Sequence, residues 1–242
     1  KNNSREHVRG VLKGRIGEIE FEQDLVLAAG EEKVVKFDTE SFPQLIMANP
    51  KLWWPNGYGE QNLYDAKFSF EADGRVSDEV DFKVGIRQVD AKEIEGVLHL
   101  YVNGRRFIGR GGNWGFSESN LNYRGREYDI AVAYHANENF NIMRNWVGQT
   151  GDKELYEACD RYGIMVWQDF TMACNWYPQE DWFYDVMREE AEYIVKKLRN
   201  HCSIIMWAGD NECDEPSYIT HQDPAFNKIT REVLPKVCEK FD

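Results

Sequence analysis

The sequence predicts a multidomain chain: a β-sandwich followed by an α/β segment of successive βα units. Three observations lead there. A length of 242 residues sits where single hydrophobic cores stop growing, so two ordinary domains are expected. From Val8 to about Arg87 the chain is a series of short runs of alternating character, the pattern of an antiparallel sandwich. Beyond Trp114, strand-like runs alternate with helix-like ones, as successive βα units on a parallel sheet do. The expected division is a sandwich over residues 1–90 and the βα segment over residues 91–242.

Taken in order, Ile16 to Leu27, Val34 to Phe37, Asp65 to Phe70 and Glu79 to Val84 read as strands, with turn signals at Ala29-Gly30 and Asp73-Gly74. VLHLYVNGRRFIG then sets Asn103-Gly104 between two apolar runs, as a tight hairpin needs. Val97 to Ile108 is therefore expected as a hairpin leading into a first barrel strand at Arg106 to Arg110. FNIMRN, Lys153 to Tyr162, GIMVWQDF, Trp182 to Asn200 and SIIMWAG follow as strand, helix, strand, helix and strand. The second helix is supported by its polarity, with Glu189 and Glu190 ahead of Lys196, Lys197 and Arg199, which matches the helix dipole. Asp223 to Phe241 reads as a last helix, interrupted or kinked by Pro235.

A formal net charge of −13 would repel phosphate backbones, and no basic stripe offsets it locally, so nucleic acid is not an expected partner. Hydrophobic residues make up 42% of the chain and charged residues 29%, without an apolar run of bilayer-spanning length. A globular, soluble chain with no membrane partner is expected. The five cysteines are odd in number and form no C-x-x-C pair, so neither a disulfide framework nor a zinc site is indicated, and the thiols are expected to be mostly buried. Nothing resembles a phosphate loop or a metal cluster, and no cofactor is expected. The N-terminal KNNSREHVRG lacks a charged-then-apolar signal segment and reads as the start of a piece cut from a longer chain, whose own N-terminus would carry any signal for the periplasm or secretion.

In a (β/α)8 barrel the reactive residues gather where strands end and βα loops begin, so the polar residues trailing each apolar run are the candidates. The first run ends in GGNW, with Asn113 and Trp114, and the second in Arg144, Asn145 and Trp146. The third ends in Trp167, Gln168 and Asp169, and the fourth in Trp207 followed by Gly209, Asp210, Asn211 and Glu212. Each end delivers an aromatic with an amide, a guanidinium or a carboxylate. Such a set suits a pocket that stacks sugar rings and hydrogen-bonds their hydroxyls. Residue by residue the reading stays open, because a carboxylate after a strand is more often solvated or ion-paired, and a Trp more often core, than a ligand contact.

LWWPNGYGEQNLY (52–64), FKVGIR (82–87), GGNW, NIMRNW, ACDRYGIMVWQDF (158–170) and LRNHCSIIMWAGDNE (198–212) resemble glycoside hydrolase family 2. Within it, CDRYGIMVWQDF and the ACNWYP that follows are similar to the β-mannosidase branch. The resemblance covers nearly the whole chain. It implies an immunoglobulin-like β-sandwich over residues 1–90 ahead of the N-terminal half of an α/β TIM-type (β/α)8 barrel over residues 91–242, and retaining hydrolysis of O-glycosidic bonds at β-linked sugars on an oligosaccharide or glycoconjugate substrate. By the same resemblance Glu212 is the catalytic acid/base, Asn211 holds the region of the sugar 2-hydroxyl and Arg144 buttresses the nucleophile. Trp114, Trp146, Trp167, Gln168 and Asp169 are implied as pocket lining or support. Three features depart from the pattern: Cys202 stands where the family usually has proline, Asp210 where mannosidases tend to have asparagine, and NWVGQTG (145–151) differs from their glycine-rich turn after the second strand.

Retaining chemistry needs two carboxyl groups about 5 Å apart, one protonated to assist the leaving group and one to attack the anomeric carbon. The resemblance places the nucleophile on a later strand, beyond Asp242, so these 242 residues alone are expected not to hydrolyse glycosides. Open edges on the first and fourth barrel strands predict aggregation or self-association. The alternatives are a β-galactosidase, β-glucuronidase or exo-β-glucosaminidase of the same family, or a non-catalytic carbohydrate-binding module. The intact Asn211-Glu212 pair favours descent from an active enzyme, and it differs from the Ser-Asp typical of the exo-glucosaminidase branch.

Overall fold

In the computed structural model, which describes residues 1–115, 124–148, 152–213 and 226–242, strands β1 (Val8–Ile16) and β2 (Ile19–Leu27) form an antiparallel hairpin. The run from Ile16 to Leu27, expected as one strand, is therefore split. Gly17, at φ 58°, takes the left-handed backbone that a tight turn requires. Strands β3 (Tyr64–Ala72) and β4 (Arg75–Val84) complete a sheet of order β2-β1-β3-β4, and Asp73 and Gly74, at φ 50° and 71°, turn the chain between them. Val34 to Phe37 forms no strand. Phe37 is instead an anchor for its loop, 4.8 Å from the ring of buried Phe21 and 5.0 Å from that of Phe42. These strands lie in the first of two compact units, residues 1–51 and 63–84.

The second unit contains residues 52–62 and 85–242. Its first sheet is β5 (Val89–Ile94), β6 (Val97–Val102) and β7 (Arg105–Phe107), all antiparallel. Asn103 and Gly104 stand at φ 50° and 75°, the two successive positive values that fit a two-residue hairpin to strand twist. The first barrel strand, β8 (Gly111–Trp114), starts later than the expected Arg106. Arg105 to Phe107 is committed to β6, and only after it can the backbone turn into a new sheet.

Helix α1 (Arg126–Asn137) was not legible as a helix, because Ile130 to Tyr134 is a continuous apolar run that blurs the 3.6 period. Then follow β9 (Ile142–Asn145), α2 (Lys153–Tyr162), β10 (Met165–Asp169), α3 (Asp181–Leu198) and β11 (Ile204–Ala208). The four strands are parallel in the order β8-β9-β10-β11, as right-handed βα units produce. Gly163, at φ 75°, ends α2 in the left-handed cap that glycine adopts without a Cβ penalty. The last helix begins as a π-helical segment, Ile229–Val233, and continues as α4 (Leu234–Phe241). Pro235 sits in the first turn of α4, where its missing N–H costs least; residues 223–225 of the expected helix lie outside the described residues.

The WWPNGYG motif belongs with the barrel half because of what its side chains cap. Trp53 is fully buried and its indole N–H donates to the Asp160 carbonyl at 2.7 Å. Asn56 donates to the carbonyls of Ala136 and Phe140, at and just beyond the end of α1, at 2.9 and 2.8 Å, and so caps the C-terminal end of that helix. Beside it, the buried Asp160 carboxylate meets His201 Nδ1 at 2.6 Å and accepts from the Ser203 amide at 2.9 Å and the Cys202 thiol at 3.4 Å. Arg87 donates to the carbonyls of Cys202 and Ile204. Cys202, in place of a proline, therefore adds a thiol donor to a buried carboxylate.

Burial pushes the Cys159 and Cys202 thiols well above their usual range, and lifts Cys213 to about 12 and Cys238 to about 11. Unfolded thiols begin to lose protons near pH 8.5, while these folded ones keep theirs. Above that pH the folded state binds more protons than the unfolded one, so the stability these groups contribute is complete below about pH 8.5 and falls as pH rises. A thermal midpoint that drops as pH rises from about 8.5 towards 11 is expected, with a shallower slope in Cys159→Ala. A profile equally steep in that variant and in the parent shows that other groups govern alkaline stability.

Candidate active site

Strand alternation sorts the candidate residues onto two faces, since neighbouring side chains point to opposite sides of a sheet. Arg144 aligns with Asn113 on one neighbour and Trp167 on the other; one residue on, Asn145 aligns with Trp114 and Gln168. The second row faces the helices. Asn145 Nδ2 donates to the Tyr156 hydroxyl of α2 and to Gln168 Oε1, at 3.2 and 3.1 Å, and the Tyr156 hydroxyl donates to Gln168 Oε1 at 2.7 Å. Trp114 is buried in a core that includes Tyr128, Val132 and Tyr156, its ring 5.5 Å from that of His135. The structure thus places Gln168 and Trp114 between sheet and helices, apart from the strand-end cluster.

The other row carries that cluster. Asp169, fully buried, accepts from Arg144 Nε at 3.1 Å to Oδ1 and 3.0 Å to Oδ2, and from Nη2 at 2.7 Å. A guanidinium held this way presents the rest of its fork in a fixed direction. Arg144 Nη2 donates to Asn211 Oδ1 at 2.9 Å, and the guanidinium carbon lies 5.1 Å from the centre of the Trp167 ring, within cation–π range. Asp169 Oδ2 also accepts from the Val147 amide at 3.0 Å. Val147 stands at φ 48° in the single turn Trp146–Gly148, with Trp146 half-buried.

After β11 the backbone is held in register with the loop after β10. Asn211 N–H donates to the Met172 carbonyl at 3.0 Å, and Cys174 N–H to the Asn211 carbonyl at 2.7 Å. Glu212 follows, exposed and at φ 57°, with Oε2 3.4 Å from Cys174 Sγ. Val147, Cys174 and Glu212, each beyond the end of a barrel strand, all have positive φ. For residues with a Cβ this costs on the order of 1–3 kcal/mol each, and such strain concentrates at functional sites. Asp210 points elsewhere, accepting from the Cys213 amide, Asn227 Nδ2 and the Thr230 hydroxyl. Its carboxylate is thus spent on holding the segment that leads into α4. Among the described residues no group of three His, Cys, Asp or Glu side chains is arranged to hold a metal ion.

A parallel βα sheet whose strand ends gather Arg, Asp, Asn and Glu is the arrangement expected of a barrel hydrolase. Residues 1–87 match the family model Glycosyl hydrolases family 2, and residues 94–234 match Glycosyl hydrolases family 2, TIM barrel domain. The chain belongs to glycoside hydrolase family 2. As a family 2 chain it consists of the family's β-sandwich followed by the N-terminal part of its TIM barrel. It is 34% identical over 220 residues to the mannosylglycoprotein endo-beta-mannosidase of Lilium longiflorum, covering 86% of this chain and 23% of that protein. To the beta-mannosidase of Capra hircus it is 36% identical over 171 residues, covering 66% of this chain and 19% of that one. The crystal structure of a β-D-mannosidase from Dictyoglomus thermophilum superposes with a TM-score of 0.82 at 31% identity, over 98% of this chain and 30% of that chain. An exo-chitosanase of Amycolatopsis orientalis shares the fold, with a TM-score of 0.80 at 22% identity, over 100% of this chain and 28% of the other. This family 2 chain therefore spans only a fraction of the length of the relatives it matches.

Asn113, a candidate from its place at the end of the first run, is exposed and aligned with Arg144 on β8, whereas one residue beside the cluster escaped sequence reasoning. Cys174 lies in the ACNWYP motif, but its thiol is exposed rather than buried. Its contacts with Asn211 and Glu212 distinguish it.

Proposed function

We propose that the full-length protein carrying this family 2 chain is a retaining β-mannosidase. Glu212 is its general acid and base, Asn211 hydrogen-bonds the sugar near the 2-hydroxyl, and Arg144 stands next to the nucleophile, a carboxylate on a later barrel strand. The observation that carries this reading is the Asp169–Arg144–Asn211 chain of hydrogen bonds, which ends one residue from Glu212. Arg144 in this position favours the ionised form of a neighbouring nucleophile. The exposed Glu212 is free to meet a glycosidic oxygen, and Trp146 and the Trp167 ring supply apolar surface for a sugar face. The β-mannosidase names of the relatives, including the similar solved structure, favour an axial 2-hydroxyl over the galactoside, glucuronide and glucosaminide alternatives.

The full-length protein should hydrolyse aryl β-mannosides faster than the matching β-galactoside, β-glucuronide and β-glucosaminide. Preference for another sugar overturns the mannoside reading and leaves the acid/base assignment standing. The 242-residue chain by itself should show no turnover with any of the four, since retaining hydrolysis needs the second carboxylate. Turnover that Glu212→Ala abolishes in the isolated chain would place the nucleophile within it. The outer edges of β8 and β11 pair with no further strand among the described residues, and self-association of the isolated chain through these edges is expected in sedimentation.

A further inference from the structure

The donor and acceptor roles along the strand-end cluster follow from one fact: a guanidinium donates and never accepts. Arg144 Nη2 lies 2.9 Å from Asn211 Oδ1, so that atom of the amide is the oxygen and the other, Nδ2, is the donor. Nδ2 lies 3.3 Å from Cys174 Sγ, and the sulfur must accept there. With its lone pair engaged, the thiol has its S–H left to donate, and Glu212 Oε2 stands 3.4 Å away. The hydrogen bonds therefore run in one sense, from Arg144 through Asn211 and Cys174 to Glu212, while Arg144 is held from behind by the buried carboxylate of Asp169. The backbone fixes the same geometry independently. Cys174 N–H donates to the Asn211 carbonyl at 2.7 Å, and Ala173 and Asn211 form a parallel bridge.

We infer that Cys174 is a positioning residue for Glu212: its thiol donates to the carboxylate and fixes the rotamer from which Glu212 serves a leaving-group oxygen. The inference rests on the acid/base reading of Glu212. An exposed glutamate samples several rotamers, and ordering it beforehand is how a single neighbouring donor raises the rate. Because the thiol acts only through Glu212, its removal should lower kcat/KM, which reports the first step, only where the leaving group needs a proton.

The test uses the full-length protein and the sugar it turns over fastest, presented as a methyl glycoside and as a 2,4-dinitrophenyl glycoside. Cys174→Ala should lower kcat/KM on the methyl glycoside about tenfold, the upper end of the effect of losing one hydrogen bond between neutral groups, and leave kcat/KM on the dinitrophenyl glycoside within about twofold of the parent, since that leaving group needs no proton. Cys174→Ser, whose hydroxyl both accepts and donates, should restore most of the loss. Should Cys174→Ala fail to fold, capping the thiol with methyl methanethiosulfonate replaces it, with Cys174→Ser as the insensitive control. Equal rates for the alanine variant and the parent on both substrates overturn the proposal. So does an equal loss on both that serine does not restore, which is the mark of a merely structural residue. Glu212→Ala in the same assay separates the two readings: if it lacks the leaving-group split, the acid/base assignment is wrong and the role of Cys174 falls with it; if it shows the split and Cys174→Ala does not, only the proposal for Cys174 fails.

Discussion

Glu212→Ala in the full-length protein should slow hydrolysis of glycosides with poor leaving groups by a factor of about 10² to 10⁴, the usual contribution of a positioned general acid. An alkoxide leaving group departs only as it is protonated, so the first step loses the most. A dinitrophenyl leaving group departs unaided, so the glycosyl-enzyme still forms and then waits, because the same residue activates water in the second step. Azide, a nucleophile that needs no base, should then restore turnover and yield the β-glycosyl azide. The geometry supports the placement: Glu212 is exposed at the end of β11, one residue past a buried, hydrogen-bonded Asn211. Equal loss on both leaving-group types, with no rescue by azide, would show that Glu212 has some other task.

Asp169→Ala is expected to have the largest effect on stability, about 3–5 kcal/mol, as when one partner of a buried ion pair is removed. Asp169 is fully buried, whereas the Arg144 side chain retains 20% of its exposure, so the loss belongs at the lower end of that range. The carboxylate holds Arg144 through Nε and Nη2 and also accepts from the Val147 amide in the turn after β9. Its removal leaves a partly buried cation and a strained turn without their shared acceptor. The double variant Arg144→Met with Asp169→Leu should recover most of the stability, since replacing both charges by apolar groups of similar size is often neutral, while activity of the full-length protein stays lost. Urea unfolding of the parent, the single and the double variant measures this. A single-variant loss below about 1 kcal/mol would mean that solvent reaches the pair and screens it.

What could be read from residues alone were the features written in local chemistry. Asn103-Gly104 and Asp73-Gly74 specify turns because their backbones tolerate positive φ, and α3 announces itself by acids ahead of a Lys-Lys-x-Arg end. Gly17 went unread because Ile16 and Ile19 make the apolar pattern continuous across it. Helix α1 went unread because its apolar residues are contiguous. The Asn211-Glu212 pair and the Arg144 and Trp167 strand ends were identifiable from motif and position.

The sequence by itself determined the strand–helix alternation from β9 to β11, the sandwich-then-barrel organisation, the family, and the strand ends at which polar groups collect, because periodicity, turn dihedrals and motif spacing are all properties of neighbours along the chain. Tertiary structure alone decided which of those polar groups meet. Gln168 and Asp169 are adjacent in sequence, yet one bonds to Tyr156 among the helices and the other to Arg144 in the strand-end cluster, since side-chain parity in a strand depends on register with its neighbours. Cys174 looked like any thiol until the loop after β10 was laid against the loop after β11, setting it beside Glu212, 38 residues away in sequence. The physical reason is that a hydrogen bond depends on distance and direction in space, and separation along the chain carries neither.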